Sequence, residues 1–178
     1  RLEEPAPARI QLLCGPRQVG KTTLLLELAA RYGARALYGA ADAPGASLPG
    51  FLERLFREAE ERAAAGADIV LLLDEVHLFH NWAVRLKAFI DRFHRFRTPV
   101  HIVASGSSAL QITSGSSESL AGRFERLTLT HWSAASLVQV FDLSETEAIH
   151  HVVRLGSYPG TIPYRQDIPR WSAYVRDA

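Results

Sequence analysis

The chain has 178 residues, of which 47% are hydrophobic and 22% charged, a balance typical of one globular domain with a substantial core. Its formal net charge is +1, so charge alone favours neither a nucleic acid nor an anionic membrane surface as its partner. The sequence has no signal-like segment and no apolar run of about 18 residues, which argues against secretion and against a membrane span. The single cysteine excludes an internal disulfide and agrees with a reducing, cytoplasmic setting. Because the chain begins at Arg1 and contains no Met, we expect it to be part of a longer gene product.

Hydrophobic patterns predict strands that alternate with helices along most of the chain. Short apolar or alternating runs predict strands at Ile10–Cys14, Ala34–Tyr38, Ile69–Leu73, Val100–Ala104 and Phe124–Thr130. Apolar residues at helical spacing predict helices at Lys21–Arg31, from Phe51 to just before Gly66, at Trp82–Phe96, near Ser133–Phe141 and near Ser144–Leu155. This alternation favours an α/β fold, a three-layer sandwich of helices around a mainly parallel sheet. We expect the core to span residues 1–132 and a helical extension to span residues 133–178.

Two serines are candidates for helix caps. Ser47 lies in a loop rich in Gly, Pro and Ser, and it could cap the helix that begins near Phe51. Ser144 opens the segment Ser144-Glu145-Thr146-Glu147, which matches a capping box. Both serines therefore mark expected helix starts.

The segment between the first strand and the first helix carries a phosphate-binding pattern. It reads Gly15-Pro16-Arg17-Gln18-Val19-Gly20-Lys21-Thr22-Thr23 and fits G-x-x-x-x-G-K-[ST]. Its glycines allow backbone dihedrals that are closed to other residues, so successive N–H groups can converge on phosphate oxygens at the start of a helix. We expect Lys21 to reach the β- and γ-phosphates and the Thr22 hydroxyl to bind Mg²⁺. The sequence therefore predicts a nucleoside triphosphate site, in which Arg17 faces either phosphate or a neighbouring acid.

Two carboxylates follow the third predicted strand. The consecutive aliphatic residues Ile69–Leu73 lead directly into Asp74 and Glu75, and ligands of parallel sheets bind at the carboxyl ends of the strands. Asp74 is therefore a candidate Mg²⁺ ligand, directly or through water, and Glu75 is a candidate to polarise the water that attacks the γ-phosphorus. The alternative is an acidic helix cap after a core strand. The adjacent glutamate favours a hydrolase over a nucleotide kinase, because a kinase shields its site from water.

The fourth predicted strand ends in small polar residues. Ser105 and Ser107 follow Val100–Ala104, and either could present its hydroxyl to the γ-phosphate or to the attacking water. The sequence does not choose between the two serines, and a Ser/Gly turn without a catalytic role is the alternative. The strand at Ala34–Tyr38, between the phosphate-loop strand and the Asp74 strand, also fits the hydrolase branch of phosphate-loop proteins, in which a strand is inserted between those two.

These segments resemble the AAA-type ATPases of that branch, with a RecA-like core. They are most similar to a family of bacterial and archaeal ATP-binding proteins in which an AAA core precedes a C-terminal domain of unknown function. The resemblance is carried by Gly15–Thr23, Leu73–His77, Ser105–Ser108, Glu118–Arg123, Leu127–Leu137, Gly156–Gly160 and Trp171–Asp177. It implies ATP as the nucleotide, in agreement with the lack of a guanine-reading N-K-x-D motif. We expect the family's second domain to be absent after Ala178.

The resemblance also assigns Arg123 and exposes two departures from the family pattern. Arg123 is expected to contact the γ-phosphate as an arginine finger, in its own subunit or across an interface, and a surface ion pair is the alternative. Arg126 is a poorer candidate for that role. Gly156-Ser157 stands where a Gly pair is usual, and His131-Trp132-Ser133 stands where Pro-Leu-Ser is usual. We expect both departures to lie away from the nucleotide.

The motifs together predict Mg²⁺-dependent ATP binding with slow hydrolysis. A nucleotide-dependent switch that binds a protein or nucleic-acid partner, with little turnover, is the alternative, because a switch and a motor share this site. A small-molecule kinase is a third hypothesis, and it is disfavoured because the sequence shows no evident acceptor pocket or lid motif. The sequence identifies neither the partner nor the oligomeric state.

Other polar residues are assigned to the surface. His77 and His80 lack the further ligands that a tetrahedral zinc site requires. His150-His151 is expected to be a pair on a helix surface. The helix near Trp82–Phe96 carries basic residues that are expected to form a solvated face, with a contact surface for nucleic acid or an acidic partner as the alternative: Arg85, Lys87, Arg92, His94, Arg95 and Arg97.

Overall fold

The structure is a computed structural model that describes residues 2–7, 9–106 and 120–177. Within these residues the strands are β1 (Ile10–Cys14), β2 (Ala36–Ala40), β3 (Ile69–Asp74), β4 (Val100–Gly106) and β5 (Phe124–Thr128). The α-helices are α1 (Lys21–Tyr32), α2 (Phe51–Ala64), α3 (Trp82–Phe96), α4 (Ala134–Phe141), α5 (Glu145–Leu155) and α6 (Ile168–Asp177). Short 3-10 turns occur at Gly33–Arg35, Pro44–Ser47, Val76–Leu78 and Pro159–Tyr164. Among the helices of the described part, none is long and apolar enough to cross a bilayer.

The chain divides into two compact units. The first, here called the sheet unit, comprises Arg1–Gly15 and Lys21–Thr128. The second, here called the C-terminal unit, comprises Leu129–Ala178 together with the short segment Pro16–Gly20. Along the chain, the segment Pro16–Gly20 connects the two parts of the sheet unit, which end at Gly15 and resume at Lys21.

The described strands form one parallel sheet in the order β2-β3-β4-β1-β5. The predicted α/β fold with a parallel sheet is therefore confirmed. The expectation that the strand near Ala34–Tyr38 is the inserted one is wrong, because β4 lies between β1 and β3 and β2 is an edge strand. Burial agrees with this order, since every residue of β4 is buried whereas β2, at the edge, alternates between buried and half-buried residues.

Helices cover both faces of the sheet. On β3, Ile69, Leu71 and Leu73 belong to a core cluster with residues of α2 and α3, whereas Val70 and Leu72 belong to a second cluster with α1. Side chains of a strand point alternately to its two faces, so this division places α1 opposite α2 and α3. The three-layer arrangement that the sequence predicts is thus present.

Aromatic packing and ion pairs join α2 to α3. The rings of Phe56 and Phe89 stack with centroids 3.7 Å apart. On the outer side, Arg85 donates two hydrogen bonds to Glu53, at 2.9 and 2.7 Å, and Arg92 pairs with Glu60 at 2.7 Å. Two cations of the basic helix face are therefore neutralised by the neighbouring helix.

Two details of the sheet unit differ from the sequence prediction. The residue at the start of α2 is Gly50, with φ 76°, whereas Ser47 donates a hydrogen bond to the carbonyl of Pro44 and caps no helix. A left-handed φ favours glycine, so the chain enters α2 through Gly50 rather than through a serine cap. The second strand lies two residues later than predicted, at Ala36–Ala40, because the 3-10 turn Gly33–Arg35 continues from α1.

The C-terminal unit has its own small core. Leu137, Leu143, Ala148 and Ile162 are buried together. Ser133 caps α4, and Ser144 with Glu147 forms the predicted capping box of α5. Helix α6 had no counterpart in the sequence prediction.

His151 lies in the interior of the C-terminal unit. Its side chain is buried, and its Nε2 lies 3.0 Å from the Thr161 hydroxyl. Burial lowers the pKa of His151, and the charge of Arg165 lowers it further. The expectation that His150 and His151 form a surface pair is therefore wrong for His151, while His150 is exposed.

Candidate functional site

The glycine-containing loop joins β1 to α1. Gln18 and Gly20 both adopt positive φ, 63° and 100°, and such residues turn successive N–H groups towards one side of the chain. An added Cβ at Gly20 would meet no atom within 4 Å, so its backbone conformation rather than space calls for glycine there. Left-handed residues of this kind occur in anion-binding turns, and binding of an anion by this loop stays a prediction.

Lys21 begins α1 and is 4% exposed. Its ammonium donates a hydrogen bond of 3.0 Å to the carbonyl of Gly15, so the side chain folds back along the first residue of the motif. Thr22 and Thr23, the next two residues, are exposed at the start of the helix. Their hydroxyls are thus accessible to a ligand at a helix N-terminus.

The carboxylate of Asp74 is buried at the end of β3, with 3% exposure. Its Oδ1 accepts hydrogen bonds from the Ser105 hydroxyl and, at 3.1 Å, from the backbone N–H of Glu75. Its Oδ2 accepts a hydrogen bond of 3.1 Å from the Tyr38 hydroxyl. Hydrogen bonds at both oxygens fix the orientation of this buried acid.

Tyr38 is a residue of the site that the sequence prediction missed. In the parallel register Tyr38 lies opposite Leu72, two residues before Asp74, so Tyr38 and Asp74 share one face of the sheet. Burial raises the pKa of Tyr38 to about 12, and the charge of Asp74 and the hydrogen bond to it act in the same direction. No motif includes this tyrosine, and only the pairing of β2 with β3 identifies it.

Glu75 occupies a left-handed conformation with φ 49° and ψ 44°. This backbone costs a non-glycine residue roughly 1–2 kcal/mol, and here it ends β3 and starts the turn Val76–Leu78. The Glu75 N–H also donates to the Ser105 hydroxyl at 3.2 Å. Its Oε2 lies 3.2 Å from Nδ1 of His77, without the alignment of a hydrogen bond, and the carboxylate remains partly accessible with 22% side-chain exposure.

The two candidate serines differ in what the structure says of them. Ser105 is fully buried and bridges Asp74 and the backbone of Glu75, so its hydroxyl joins the ends of β3 and β4. Ser107 lies outside the described residues. Ser105 thus belongs to the same group as the two carboxylates, and its contact with phosphate stays a prediction.

Arg123 pairs with an acid on the surface of the sheet unit. Its Nε lies 2.5 Å from Oδ1 of Asp91 on α3, and this hydrogen bond lowers the pKa of Asp91. The ion pair is the alternative that the sequence left open for Arg123, and its role as an arginine finger stays a prediction. Arg17, within the loop, is exposed.

Trp132 corrects the expectation that the departures from the family pattern lie away from the nucleotide motif. Its indole N–H donates a hydrogen bond of 3.0 Å to the carbonyl of Val19, inside the glycine loop. Its backbone N–H donates to the carbonyl of Ser157 at 3.3 Å, so the two departures also contact each other. No pattern in the sequence indicates these contacts, because the residues are far apart along the chain.

The sheet order, with β4 between β1 and β3, and the glycine loop between β1 and α1 define an α/β fold of the P-loop ATPase class. A family model described as an AAA domain matches residues 7–138. The chain belongs to this AAA domain family. A search of curated proteins finds no match to this chain.

Solved structures share this fold at low sequence identity. The Walker-type ATPase PABY2304 of Pyrococcus abyssi matches with a TM-score of 0.69 and 15% identity, over 96% of this chain and 68% of its own. AMPPCP-bound DnaA from Aquifex aeolicus matches with a TM-score of 0.61 and 17% identity, over 99% of this chain and 63% of its own. The RuvB Holliday junction branch migration motor of Thermotoga maritima matches with a TM-score of 0.55 and 20% identity, over 94% of this chain and 56% of its own. This chain therefore spans less than two thirds of the DnaA and RuvB chains.

Proposed function

We propose that this AAA domain binds ATP together with Mg²⁺ at the glycine loop and hydrolyses it slowly. The observation that carries the proposal is the hydrogen-bonded group formed by Asp74, Glu75 and Ser105 at the carboxyl ends of β3 and β4. In a parallel sheet these ends are where ligands bind, and β4 is the direct neighbour of the strand that leads into the loop. The AMPPCP bound to the DnaA neighbour supports a nucleotide as the ligand.

The donor atoms of the chain fit a magnesium ion. Mg²⁺ prefers oxygen ligands, and the candidate ligands are the carboxylate of Asp74 and the hydroxyl of Thr22. A carboxylate oxygen has two lone pairs, and the Tyr38 hydroxyl uses one of those on Oδ2 of Asp74. When bound, the ion neutralises charge on the phosphates. Asp74 and Thr22 would hold it, directly or through water.

The remaining residues supply binding and proton transfer. The loop amides and the ammonium of Lys21 neutralise the phosphate oxygens. Glu75 orients the attacking water and accepts its proton as the bond to the γ-phosphorus forms. Ser105 or Ser107 contacts the γ-phosphate, and Arg123 completes the charge stabilisation in its own subunit or across an interface.

The test is phosphate release by wild type and by Glu75→Gln. The variant keeps the size of the side chain and removes its basicity, so we expect turnover to fall by about 10²-fold or more while ATP binding persists. Glu61→Gln, on the exposed side of α2, is the matched control and should keep wild-type turnover. Equal rates in wild type and Glu75→Gln would remove Glu75 from the mechanism.

A nucleotide-dependent switch is the second candidate function. It is favoured by the hydrogen bonds that residues of the C-terminal unit make to the loop residues Gln18 and Val19. A switch would bind a protein or nucleic-acid partner in one nucleotide state without sustained turnover. Two measurements distinguish these functions. The mass of the complex with a candidate partner, measured in ATP and in ADP, shows whether the partner binds in one nucleotide state. Phosphate release shows turnover, because only a hydrolase releases phosphate continuously without a partner.

A further inference from the structure

Two aromatic side chains of the C-terminal unit hydrogen-bond to consecutive residues of the glycine loop. The indole N–H of Trp132 donates to the carbonyl of Val19 at 3.0 Å. The hydroxyl of Tyr174 donates to Oε1 of Gln18 at 3.1 Å. The donors come from different parts of the chain, one just before α4 and one on α6, so the loop is held at two points.

Both donors pack against other aromatic rings. Trp132 packs against the core of the C-terminal unit, and its ring lies 5.7 Å from that of Phe141. The ring of Tyr174 lies 5.5 Å from that of Tyr164, and its hydroxyl is so close to Gly160 that an added Cβ there would clash with it. An anchored donor holds its acceptor in place, because the side chain loses little further freedom when the hydrogen bond forms.

One acceptor is the backbone carbonyl of Val19, and the other is the side-chain amide oxygen of Gln18, an exposed residue. Gln18 and Gly20 have φ values of 63° and 100°, and Val19 between them is 1% exposed. The peptide that links Val19 to Gly20 is planar and trans, so its C=O and N–H point in opposite directions. By holding the carbonyl of Val19, Trp132 therefore directs the N–H of Gly20 to the opposite side of the loop.

We propose that Trp132 and Tyr174 are positioning residues of the phosphate loop, which they hold ready to bind the phosphates of a nucleotide. This inference rests on the proposed nucleotide binding. Pre-organisation of a binding loop increases affinity because less conformational entropy is lost on binding.

The test compares variants that remove one donor and keep the aromatic ring. Trp132→Phe and Tyr174→Phe are each expected to weaken ADP and MgATP binding, measured by calorimetry, by about three- to tenfold. Trp171→Phe is the matched control, because the indole of Trp171 donates a similar bond of 3.1 Å to the carbonyl of Leu155, away from the loop. Tyr164→Phe is the corresponding control for Tyr174. Both controls should bind nucleotide within about twofold of wild type.

A second readout separates positioning from general stability. Nucleotide should change the tryptophan emission of wild type and of Trp171→Phe but not that of Trp132→Phe, because the indole of Trp132 reports on the loop. Thermal melting shows which variants are folded. If Trp132→Phe does not fold, the affinity of Tyr174→Phe for nucleotide tests the inference.

The outcomes distinguish the inference from the proposed function. The positioning role is overturned if Trp132→Phe and Tyr174→Phe both bind nucleotide with wild-type affinity. It is also overturned if Trp171→Phe loses as much affinity as they do. In both cases the proposed nucleotide binding stands. Absence of binding by the wild type overturns the proposed function and the inference with it.

Discussion

The carboxylate of Asp74 is held by side chains from both neighbouring strands, Tyr38 on β2 and Ser105 on β4. The sequence identified Asp74, and it gave Ser105 as one of two candidate serines, because each follows an aliphatic strand and strand ends meet at one edge of a parallel sheet. It did not identify Tyr38, whose contact depends on which strand lies beside β3. A residue that acts through a cross-strand contact becomes visible only when the register is known.

His151 provides a prediction about pH at the scale of a single residue. Its pKa is lowered by burial, so the unfolded chain takes up a proton at a higher pH than the folded chain does. The stability that neutral His151 contributes is therefore fully present above its ordinary pKa of about 6.5 and is lost as the pH falls below it. We expect the free energy of unfolding, measured by chemical denaturation, to decline as the pH falls below about 6.5.

The matched variants for this prediction are His151→Gln and His150→Gln. Glutamine does not titrate and can still bond to the Thr161 hydroxyl, so His151→Gln should show a smaller decline with acid than wild type. His150 is exposed on the same helix, and its replacement should leave the decline unchanged. An identical pH profile in wild type and His151→Gln would contradict the assignment.

At the scale of elements, the helix starts show which local signals are reliable. The capping box at Ser144 forms as predicted, with the Ser144 hydroxyl accepting from the Glu147 N–H at 3.3 Å and the Ser144 N–H donating to the Glu147 carboxylate at 2.9 Å. Ser47, which has no partner acid three residues later, caps nothing, and Gly50 begins α2 instead. The reciprocal pair therefore specified a helix start at Ser144, whereas Ser47 did not specify one.

Ser144→Ala is expected to lower the free energy of unfolding by about 0.5–2 kcal/mol, the usual cost of a lost N-cap. Ser47→Ala is the comparison, because the Ser47 hydroxyl makes one exposed hydrogen bond to Pro44 and supports no helix end. It should change stability by about 0.5 kcal/mol or less. Urea denaturation of both variants measures the difference, and equal losses would argue that the box is not what stabilises α5.

The boundaries of the strands were predicted better than their order in the sheet. Most boundaries lie within two residues of those expected, since aliphatic runs mark buried strands directly. The order was partly wrong, because β2 rather than β4 was taken as the inserted strand. Strand order depends on contacts between distant segments, and the apolar pattern of one strand does not show which strands lie beside it.

At the scale of the whole molecule, ligand binding should appear as stability. A nucleotide that binds only the folded chain, at about 100 times its Kd, adds about 2.7 kcal/mol, which corresponds to a rise in Tm of about 5–10 °C. Lys21→Ala should lose most of this rise relative to its own ligand-free Tm, because the loop amides then lack the ammonium that neutralises the phosphates. Thermal melting with and without MgATP measures the effect.

The control for this experiment is Lys87→Ala, which replaces the other lysine of the chain, on α3. This variant should keep the full rise in Tm. If Lys21→Ala and Lys87→Ala respond equally to MgATP, the nucleotide does not bind at the glycine loop.

Cys14 closes β1, immediately before the loop, and is 4% exposed. Burial raises the pKa of its thiol, so few molecules carry the reactive thiolate at neutral pH. As the chain contains one cysteine, an additional one placed at an exposed position such as Arg17 offers a single reactive attachment point for a fluorophore or spin label. Distance measurements on this domain can thus begin from the native background, without first replacing the cysteine at the end of β1.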